Sequence, residues 1–379
     1  MGEFRGVELN ELILSSERLT LRPWRLSDVA AVHEAMQDRS MHEFLVLPDP
    51  YTPEHAAEFV TSFVTQFTTA GYTALNCALE VTATRRLVGS ATMRFPPPRA
   101  VAAEIGYAVY ASGRGHGYAA EAAHALASWA LAQGTGRVQI RCAVANLASA
   151  KSALNAGFRY EGILRGNERT PAGLADGAVF GRTAEESGEP IARRFAPLPE
   201  GGLSDGVLAL RVLLPTDVAA MLEQEVDPGT VSSGFTGVVP SEADIARMVT
   251  QAGLDWLVGN AAPFAMVDVA TGHVAGSIRL RLVGPPDIGG IGYAVHPAFR
   301  GRGYTTRALR LLAPWAFDVA GFARLELGAK GSNVASQRAA AAAGFRQDGV
   351  LRTRLRHPDG TFSDEVRFAL VNPRYGSVG

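Results

Sequence analysis

Blocks of sequence in the first half of the chain return in the same order in the second half, 186 to 189 residues later. Because both order and spacing are kept, the repeat indicates two copies of one folding unit. The 379 residues suffice for two domains of ordinary size. The clearest matches pair Leu21-Arg22 with Leu210-Arg211, Gly89-Ser90 with Gly276-Ser277, 105–109 with 291–295, 114–118 with 300–304, and 156–159 with 343–346.

The repeat places an N-terminal domain at 1–184 and a C-terminal domain at 206–379. Between them, residues 185–205 are rich in Gly, Pro, Glu and Arg, which is typical of a linker. We expect either a monomer whose two halves imitate a dimer or a homodimer.

Charge and cysteine content narrow the classes of function. The net charge is −1, so the positive surplus that a nucleic-acid-binding protein needs is missing. The 8 histidines show no metal-ligand spacing, and no metal is expected. The longest apolar stretch, 119–132, contains Glu121 and is too short to cross a bilayer, so no membrane partner is expected. Two cysteines and charges near the amino terminus indicate a reduced, cytoplasmic protein.

Hydrophobic periodicity and turn signals predict a meander of antiparallel strands followed by strands that alternate with helices. The fold class is therefore α/β (α+β), with two tandem domains, each a mixed, largely antiparallel twisted sheet flanked by helices. Ser27-Asp28 is a predicted helix cap, and Pro314 predicts a bend in a helix of the second copy. The predicted strands of the first copy are 18–22, 73–81, 86–95, 103–110, 137–144 and 178–181, and its later helices are 53–67, 118–133 and 148–155.

A glycine-rich loop with the sequence RGHGYA, residues 114–119, connects a predicted strand to a predicted helix. Helix N-termini present unpaired N–H groups and positive partial charge, and glycines let the backbone approach an anion closely. Arg114 adds a formal positive charge at the start of the loop. The loop recurs as RGRGYT at 300–305, so the sequence predicts a phosphate-binding loop in each copy.

Three phosphate-binding patterns compete for this loop. A Walker loop ends in GK[ST], which neither copy has. Gly115-x-Gly117-x-x-Ala120 resembles a dinucleotide fingerprint, but Arg141 lies near the place where the ribose-binding acid belongs, and the loop follows a meander. The acyl-CoA pattern [QR]-x-x-G-x-[GA] fits 114–119 fully and 300–305 except at the last position. A glycine-rich turn without a ligand is the remaining alternative, and the recurrence of the loop counts against it.

Each copy resembles the GNAT N-acetyltransferase superfamily, and most of all its Rim-type branch, which acetylates N-termini of ribosomal proteins. The resemblance covers 17–183 and 206–372. It implies acetyl-CoA as co-substrate and direct transfer to a primary amine, which is a peptide or protein N-terminus or a small molecule. The motifs that carry it are Glu104-Ile-Gly-Tyr107, RGHGYAAE at 114–121, Asn146-x-x-Ser149, Ala156-Gly-Phe158 and Glu161-Gly162.

The resemblance implies a role for each matching residue. Glu104 is the expected base, and Ser149 is the expected donor to the departing sulfur. Each has a structural alternative: a surface carboxylate for Glu104, a helix-turn contact for Ser149, a helix cap for Asn146 and a core position for Tyr107. The residues expected to contact acetyl-CoA are Val109, Tyr110, Arg114, Gly115, His116, Gly117, Tyr118, Ala119 and Asn146 in the first copy, and Val295, Arg300, Gly301, Arg302, Gly303, Tyr304, Thr305 and Asn333 in the second.

The second copy departs from the family pattern at two positions. Gly290 replaces Glu104, and Thr305 replaces Ala119, whereas Asn333 and Ser336 are kept. We therefore expect the N-terminal domain to be catalytic. The second copy then binds acetyl-CoA, shapes the acceptor site or imitates a dimer partner. An active second copy, with Asp287 as its base, remains an alternative, as does an acyl-CoA-binding regulatory or scaffolding protein without turnover. The missing ribose acid disfavours a nicotinamide-dependent oxidoreductase.

Overall fold

The computed structural model describes residues 3–4, 7–9, 11–65, 68–69, 72–95, 102–285 and 287–375, so the predicted helix end at 66–67 lies outside it. The chain forms two compact units, Met1–Ala192 and Arg193–Gly379. No helix in these ranges is both long enough and apolar enough to cross a membrane.

Among the described residues of the N-terminal unit, nine strands form one mixed sheet in the order β10-β11-β9-β8-β7-β6-β4-β3, with β5 paired to β6. Its one parallel pair in this part of the chain is β8 with β9. The strands are β1 (Glu3–Phe4) and β2 (Val7–Glu8), which pair with each other, then β3 (Leu14–Ser15), β4 (Leu19–Arg22), β5 (Thr68–Thr69), β6 (Tyr72–Val81), β7 (Leu87–Phe95), β8 (Ala102–Val109), β9 (Arg137–Ala143), β10 (Arg159–Thr170) and β11 (Gly173–Thr183). The α-helices are α1 (Val29–Ala35), α2 (Pro53–Thr65), α3 (Tyr118–Ala132) and α4 (Leu147–Asn155).

The C-terminal unit repeats this plan with an eight-stranded sheet in the order β12-β13-β14-β15-β16-β17-β19-β18. Again one pair, β16 with β17, is parallel among the described strands. The predicted fold class is therefore confirmed for both copies. The strands are β12 (Leu203–Ser204), β13 (Leu208–Val212), β14 (Ala261–Asp268), β15 (Val274–Leu282), β16 (Ile288–Val295), β17 (Arg324–Lys330), β18 (Arg346–Arg356) and β19 (Phe362–Val371). The α-helices are α5 (Val218–Val226), α6 (Pro228–Ser233), α7 (Glu242–Val258), α8 (Tyr304–Asp318) and α9 (Val334–Ala342).

Alternation along β8 decides which side chains face which layer of helices. Ala103 and Ile105 are buried, whereas Glu104 is half-buried and Gly106 is exposed. Successive strand residues point to opposite faces, so Glu104 and Ala108 share a face. Ala108 contacts the apolar cluster of α1 and α2, which contains Val32. Glu104 therefore lies on the α1–α2 face of the sheet.

The segment 185–205 contributes to the core of the C-terminal unit and is hydrogen-bonded to the N-terminal unit. Phe195 is fully buried in the C-terminal unit, where its ring stacks on Trp315 and Phe322 at centroid distances of 6.1 and 6.4 Å. In the N-terminal unit, the Ile191 N–H donates to the Leu154 carbonyl at 3.0 Å. A polar, glycine-rich composition does not reveal an anchoring aromatic residue of this kind.

Asp28 occupies the N-cap position of α1 as predicted, but its side chain makes no hydrogen bond to the first turn of that helix. Asp28 accepts the Arg25 N–H at 2.9 Å and pairs with the guanidinium of Arg22, also at 2.9 Å. A buried arginine outcompetes the orphan N–H groups of a helix end for a carboxylate, because the charge-assisted hydrogen bonds are stronger.

Helix α8 runs through Pro314 without interruption. Strand β10 was missed, because its exposed, polar residues give no apolar alternation.

Glu121, in the first turn of α3, ties the β3–β4 hairpin to that helix. It accepts hydrogen bonds from the Ser16 hydroxyl at 2.7 Å, the Arg18 N–H at 2.7 Å and the Arg18 guanidinium at 2.8 Å. Burial alone would raise the pKa of Glu121, but these hydrogen bonds outweigh it and lower the pKa. In the C-terminal unit the corresponding contact has its charges reversed. Arg307 stands at the position of Glu121 and donates to Asp205 at 2.7 Å.

The Glu121→Gln variant is expected to lose roughly 2 kcal/mol of stability in the N-terminal unit at pH 7, because the hydrogen bonds lose their charge. A carboxyl group with a lowered folded pKa stabilises the protein above its unfolded pKa, about 4.3, and this is lost as the pH falls through the folded value. Melting curves of both proteins from pH 3 to 8 should therefore diverge above about pH 4 and converge below it. A difference in melting temperature between the two proteins that stays constant with pH would contradict this explanation.

Candidate functional site

In both units the single parallel strand pair separates halfway along its length. β8 pairs with β9 from Ala102 to Ile105, but it continues for four more residues, 106–109, beyond the last of these pairs. β16 does the same: it pairs with β17 only from Ile288 to Ile291. The backbone groups of the separated halves are thereby available to a ligand on that side.

The glycine-rich loop follows each separated strand after one short 3₁₀ helix, Ala111–Gly113 or Pro297–Phe299. Gly115 and Gly117 have φ angles of +78° and +80°, in the left-handed region that favours glycine. Gly117 is also the N-cap of α3, so the first N–H groups of this helix have no partner within it. Gly301 and Gly303 have φ angles of +75° at the N-terminus of α8. Two positive-φ glycines and a helix N-terminus are a geometry suited to a phosphate group.

The structure directs the first arginine of each loop away from the loop backbone. The Arg114 guanidinium pairs with Asp38 at 2.8 Å and donates to the Ser40 hydroxyl at 2.6 Å. In the C-terminal unit, Arg300 pairs with Asp227 and donates to the Thr230 hydroxyl at 2.8 Å. Both arginines therefore tie the loop to the connection that follows the first helix of their unit.

The remaining predicted loop residues are held by ring contacts. His116 stacks on Tyr118 at a centroid distance of 5.3 Å, and its Nδ1 lies 2.8 Å from the Arg114 carbonyl. Arg302 lies over the ring of Phe299 at 5.0 Å. Tyr304 is buried, and its hydroxyl donates to Asp268. Ala119 lies in the first turn of α3 and is half-buried.

A Tyr–Ser pair spans the opening between the separated strands. The Tyr107 hydroxyl donates to the Ser149 carbonyl at 2.8 Å, and the Ser149 hydroxyl donates back to it at 3.2 Å. In the C-terminal unit, the hydroxyls of Tyr293 and Ser336 are 2.8 Å apart. Burial raises the pKa of both tyrosines, so each hydroxyl keeps its proton at neutral pH. The sequence predicts a core position for Tyr107, whereas the structure connects its hydroxyl to Ser149.

The asparagines before these serines are helix N-caps. The Asn146 side-chain oxygen accepts the Ser149 N–H at 3.0 Å, and Asn333 accepts the Ser336 N–H at the same distance. This contact fixes the rotamer of each asparagine and places the serine in the first turn of its helix.

Glu104 lies within an ion-pair network on the α1–α2 face. Arg141 donates two hydrogen bonds to its carboxylate, at 2.8 and 3.1 Å, and Gln139 donates one at 3.2 Å. Arg94 lies 3.5 Å away. The side chain keeps 21% of its surface exposed, so it is fixed in orientation and still reachable. The contact of Arg141 with Glu104 could not be predicted, because the two residues lie on different strands.

Tyr110 is a further predicted residue, and it lies in the core. Its ring is 3% exposed and joins the apolar cluster under α1 and α2. Within the described residues its hydroxyl has no hydrogen-bond partner. Only its backbone remains a candidate ligand contact, together with Val109, whose carbonyl accepts from Arg114 at 3.2 Å.

A cleft of about 1060 Å³ joins these features in the C-terminal unit. Asp287, the base considered above, does not line it, and within the described residues no cluster of three or more His, Cys, Asp or Glu side chains could hold a metal. The cleft is lined by the separated half of β16 (Gly292 to Val295), by Arg300, Gly301, Gly303, Tyr304 and Thr305 of the loop, and by Asn333 and Ser336.

The chain is similar to known acetyltransferases. The curated protein "Probable N-acetyltransferase YjcK" of Bacillus subtilis (strain 168) is 34% identical over 83 residues, which are 22% of this chain and 45% of that protein, so the match spans less than half of the relative. A structure of RimL, a ribosomal L7/L12 alpha-N-protein acetyltransferase in complex with coenzyme A, is 25% identical, with a TM-score of 0.40 over 45% of this chain and 98% of RimL. The microcin C7 self-immunity acetyltransferase MccE, in complex with acetyl-CoA and AMP, is 19% identical, with a TM-score of 0.42 over 46% of this chain and 98% of MccE.

A family model described as the acetyltransferase (GNAT) domain matches the chain twice, over residues 18–159 and 208–346. These two ranges contain both glycine-rich loops, both Tyr–Ser pairs and Glu104. The chain therefore belongs to the GNAT acetyltransferase family, with one such domain in each half.

Proposed function

We propose that the chain is an acetyl-CoA-dependent N-acetyltransferase that acts on a primary amine, which is a peptide or protein N-terminus or a small-molecule amine. The observation that best supports this proposal is the C-terminal cleft, in which a separated strand, a glycine-rich loop and a helix that starts with an Asn–Ser pair meet. The N-terminal unit has the same three features and, in addition, Glu104. We assign the reaction to the N-terminal domain on that basis.

The reaction needs a base for the amine, a donor for the thioester oxygen and a donor for the sulfur. The Glu104 carboxylate takes a proton from the ammonium group of the acceptor, and the nitrogen attacks the thioester carbonyl carbon. A backbone N–H of the separated strand, near Val109, donates to the carbonyl oxygen as negative charge develops there. As the C–S bond then breaks, the nitrogen loses its second proton and the sulfur receives one through the Ser149 and Tyr107 hydroxyls.

The proposed base and the proposed proton donor to the sulfur lie on opposite faces of β8. Glu104 lies on the α1–α2 face, whereas Tyr107 extends to α4 on the other side. The acceptor amine then approaches from one face of the strand while the thiol leaves along the other. The geometry supports direct transfer, because both reactants reach the same unpaired backbone.

Glu104→Gln tests the assignment when it is combined with Gly303→Asp, which silences the C-terminal loop. Relative to Gly303→Asp alone, we expect kcat to fall about 100-fold or more, the usual contribution of a general base. Acetyl-CoA binding, measured by calorimetry, should stay unchanged, because Glu104 lies on the other face from the Tyr–Ser pair. Equal rates with and without Glu104 would contradict the assignment.

The alternative, an acyl-CoA-binding regulatory or scaffolding protein, makes a different prediction. Such a protein binds acetyl-CoA at both loops but releases no coenzyme A thiol with any amine. Thiol release by the wild-type chain, measured with a Ser-initiated hexapeptide, an amino-acid mixture and the aminoglycoside kanamycin, separates the two functions.

A further inference from the structure

The C-terminal unit has lost the strand carboxylate of its N-terminal counterpart. Gly290 occupies the position of Glu104, and Val283 fills the space, since a Cβ built on Gly290 would lie 2.4 Å from a Val283 methyl group. Directly opposite on β17, Glu326 is engaged by Arg324 at 2.7 Å and by Arg367. Glu326 does not line the cleft.

A different carboxylate lines the cleft from helix α5. Glu225 corresponds to Met36 of the N-terminal unit, because Val218 to Glu225 follows Asp217 as Val29 to Met36 follows Asp28. Met36 is buried in the apolar core, whereas Glu225 is half-buried at the cleft. The unit that lacks a strand carboxylate has thus gained one on the helix that covers the same face.

A buried glutamine holds this carboxylate. Gln224 is fully buried, and its Nε2 donates to Glu225 at 2.8 Å and to the Ser277 hydroxyl at 2.9 Å. Its Oε1 is buried without a hydrogen-bond partner among the described residues. The corresponding residue in the N-terminal unit is Ala35. Burying an amide whose oxygen is unpaired is unfavourable, and the fold tolerates it here beside Glu225.

The glutamine places Glu225 beside the half of β16 that is separated from β17. Ser277 is the Cα partner of Ala294, which belongs to the separated half of the strand. Ser277, Ala294 and Glu225 line one cleft together with Ser336. The cleft therefore brings a carboxylate to the same strand segment that leads to the glycine-rich loop.

We infer that the C-terminal unit is a second acetyl-transfer site in which Glu225 is the base and Gln224 is its positioning residue. The inference rests on the proposed function. Glu225 takes one proton from the acceptor ammonium, and the freed amine nitrogen bonds to the thioester carbon. As the C–S bond breaks, the nitrogen loses its second proton and the sulfur gains one through the hydroxyls of Ser336 and Tyr293.

The test uses the full-length chain with Gly117→Asp, which silences the N-terminal loop. Thiol release is measured with the hexapeptide, the amino-acid mixture and kanamycin. Adding Glu225→Gln should lower kcat about 100-fold, the typical loss for a missing base, with one acetyl-CoA still bound. The matched control is Glu223→Gln: this carboxylate on the same helix is 71% exposed, contacts His296 and does not line the cleft, so the rate should not change.

The outcomes separate the two proposals. If the Gly117→Asp chain binds acetyl-CoA without turnover while the Gly303→Asp chain remains active, the second site is refuted and the proposed function stands. An unchanged rate in Glu225→Gln also refutes Glu225 as the base. If the wild-type chain acetylates none of these amines, the proposed function is overturned, and the inference falls with it.

Discussion

The double variant Gly117→Asp/Gly303→Asp is expected to bind no acetyl-CoA at concentrations that saturate the wild-type chain. Each new carboxylate lies at the helix N-terminus of a predicted phosphate-binding loop. Two like charges about 4 Å apart near a protein surface repel by roughly 4 kcal/mol, which corresponds to nearly 1000-fold in Kd. Calorimetric titration of each single variant and of the double variant measures this loss site by site.

The fold should survive these changes. Asp is among the residues that tolerate positive φ, and it is a preferred N-cap. A Cβ at Gly303 would meet no atom within 4 Å, and one at Gly117 would lie 3.7 Å from the Arg18 guanidinium. The matched control is Asn at both positions, which has the same shape without the charge and should weaken binding by less than about tenfold. If Asp and Asn bind acetyl-CoA equally well, the loops do not hold the phosphates.

Arg22→Met is expected to destabilise the N-terminal unit by about 3–5 kcal/mol, the cost of removing the buried cation from a cluster of buried carboxylates. Arg22 is 4% exposed and donates to Glu80 at 2.7 Å and to Asp28 at 2.9 Å. Glu80 is 2% exposed, so water cannot replace the lost donor, and the exposed Arg85, 2.8 Å from the other oxygen of Glu80, stays paired with it. This cluster joins β4, β6 and the start of α1.

The C-terminal unit supplies the control, because it contains the same arginine with only one of the two carboxylates. Arg211 pairs with Asp217 at 2.7 Å, is 30% exposed, and has Val267 in place of Glu80. Arg211→Met should therefore cost less, roughly 1–2 kcal/mol. Hydrogen exchange of strand peptides reports on each unit separately. Equal losses of protection in the two variants would contradict the role given to Glu80.

The tandem fold could be predicted from the sequence because its signals are local and occur twice. Two glycines before a helix, Gly115 and Gly117, are typical of an anion-binding loop. The same pattern at Gly301 and Gly303 makes a glycine-rich turn without a ligand a poorer explanation. Strand β10 could not be predicted, because its polar residues on an edge strand carry no apolar alternation.

The side-chain contacts within the candidate sites could not be predicted, because they join residues that are distant in sequence. Arg141 engages Glu104 across a parallel strand pair, and the Tyr107 hydroxyl contacts Ser149 across the separated strands. Gln224 and Glu225 form part of an ordinary amphipathic helix in the sequence. Only the structure shows that the buried Gln224 amide donates a hydrogen bond to Ser277 of the sheet and so fixes the place of both residues.

The most direct test of the account is native mass spectrometry of the full-length chain titrated with acetyl-CoA, with bound ligands counted. We predict two bound acetyl-CoA molecules per chain, one of which is lost with Gly117→Asp and the other with Gly303→Asp. A chain that binds no acetyl-CoA at millimolar concentration would contradict the account of both loops.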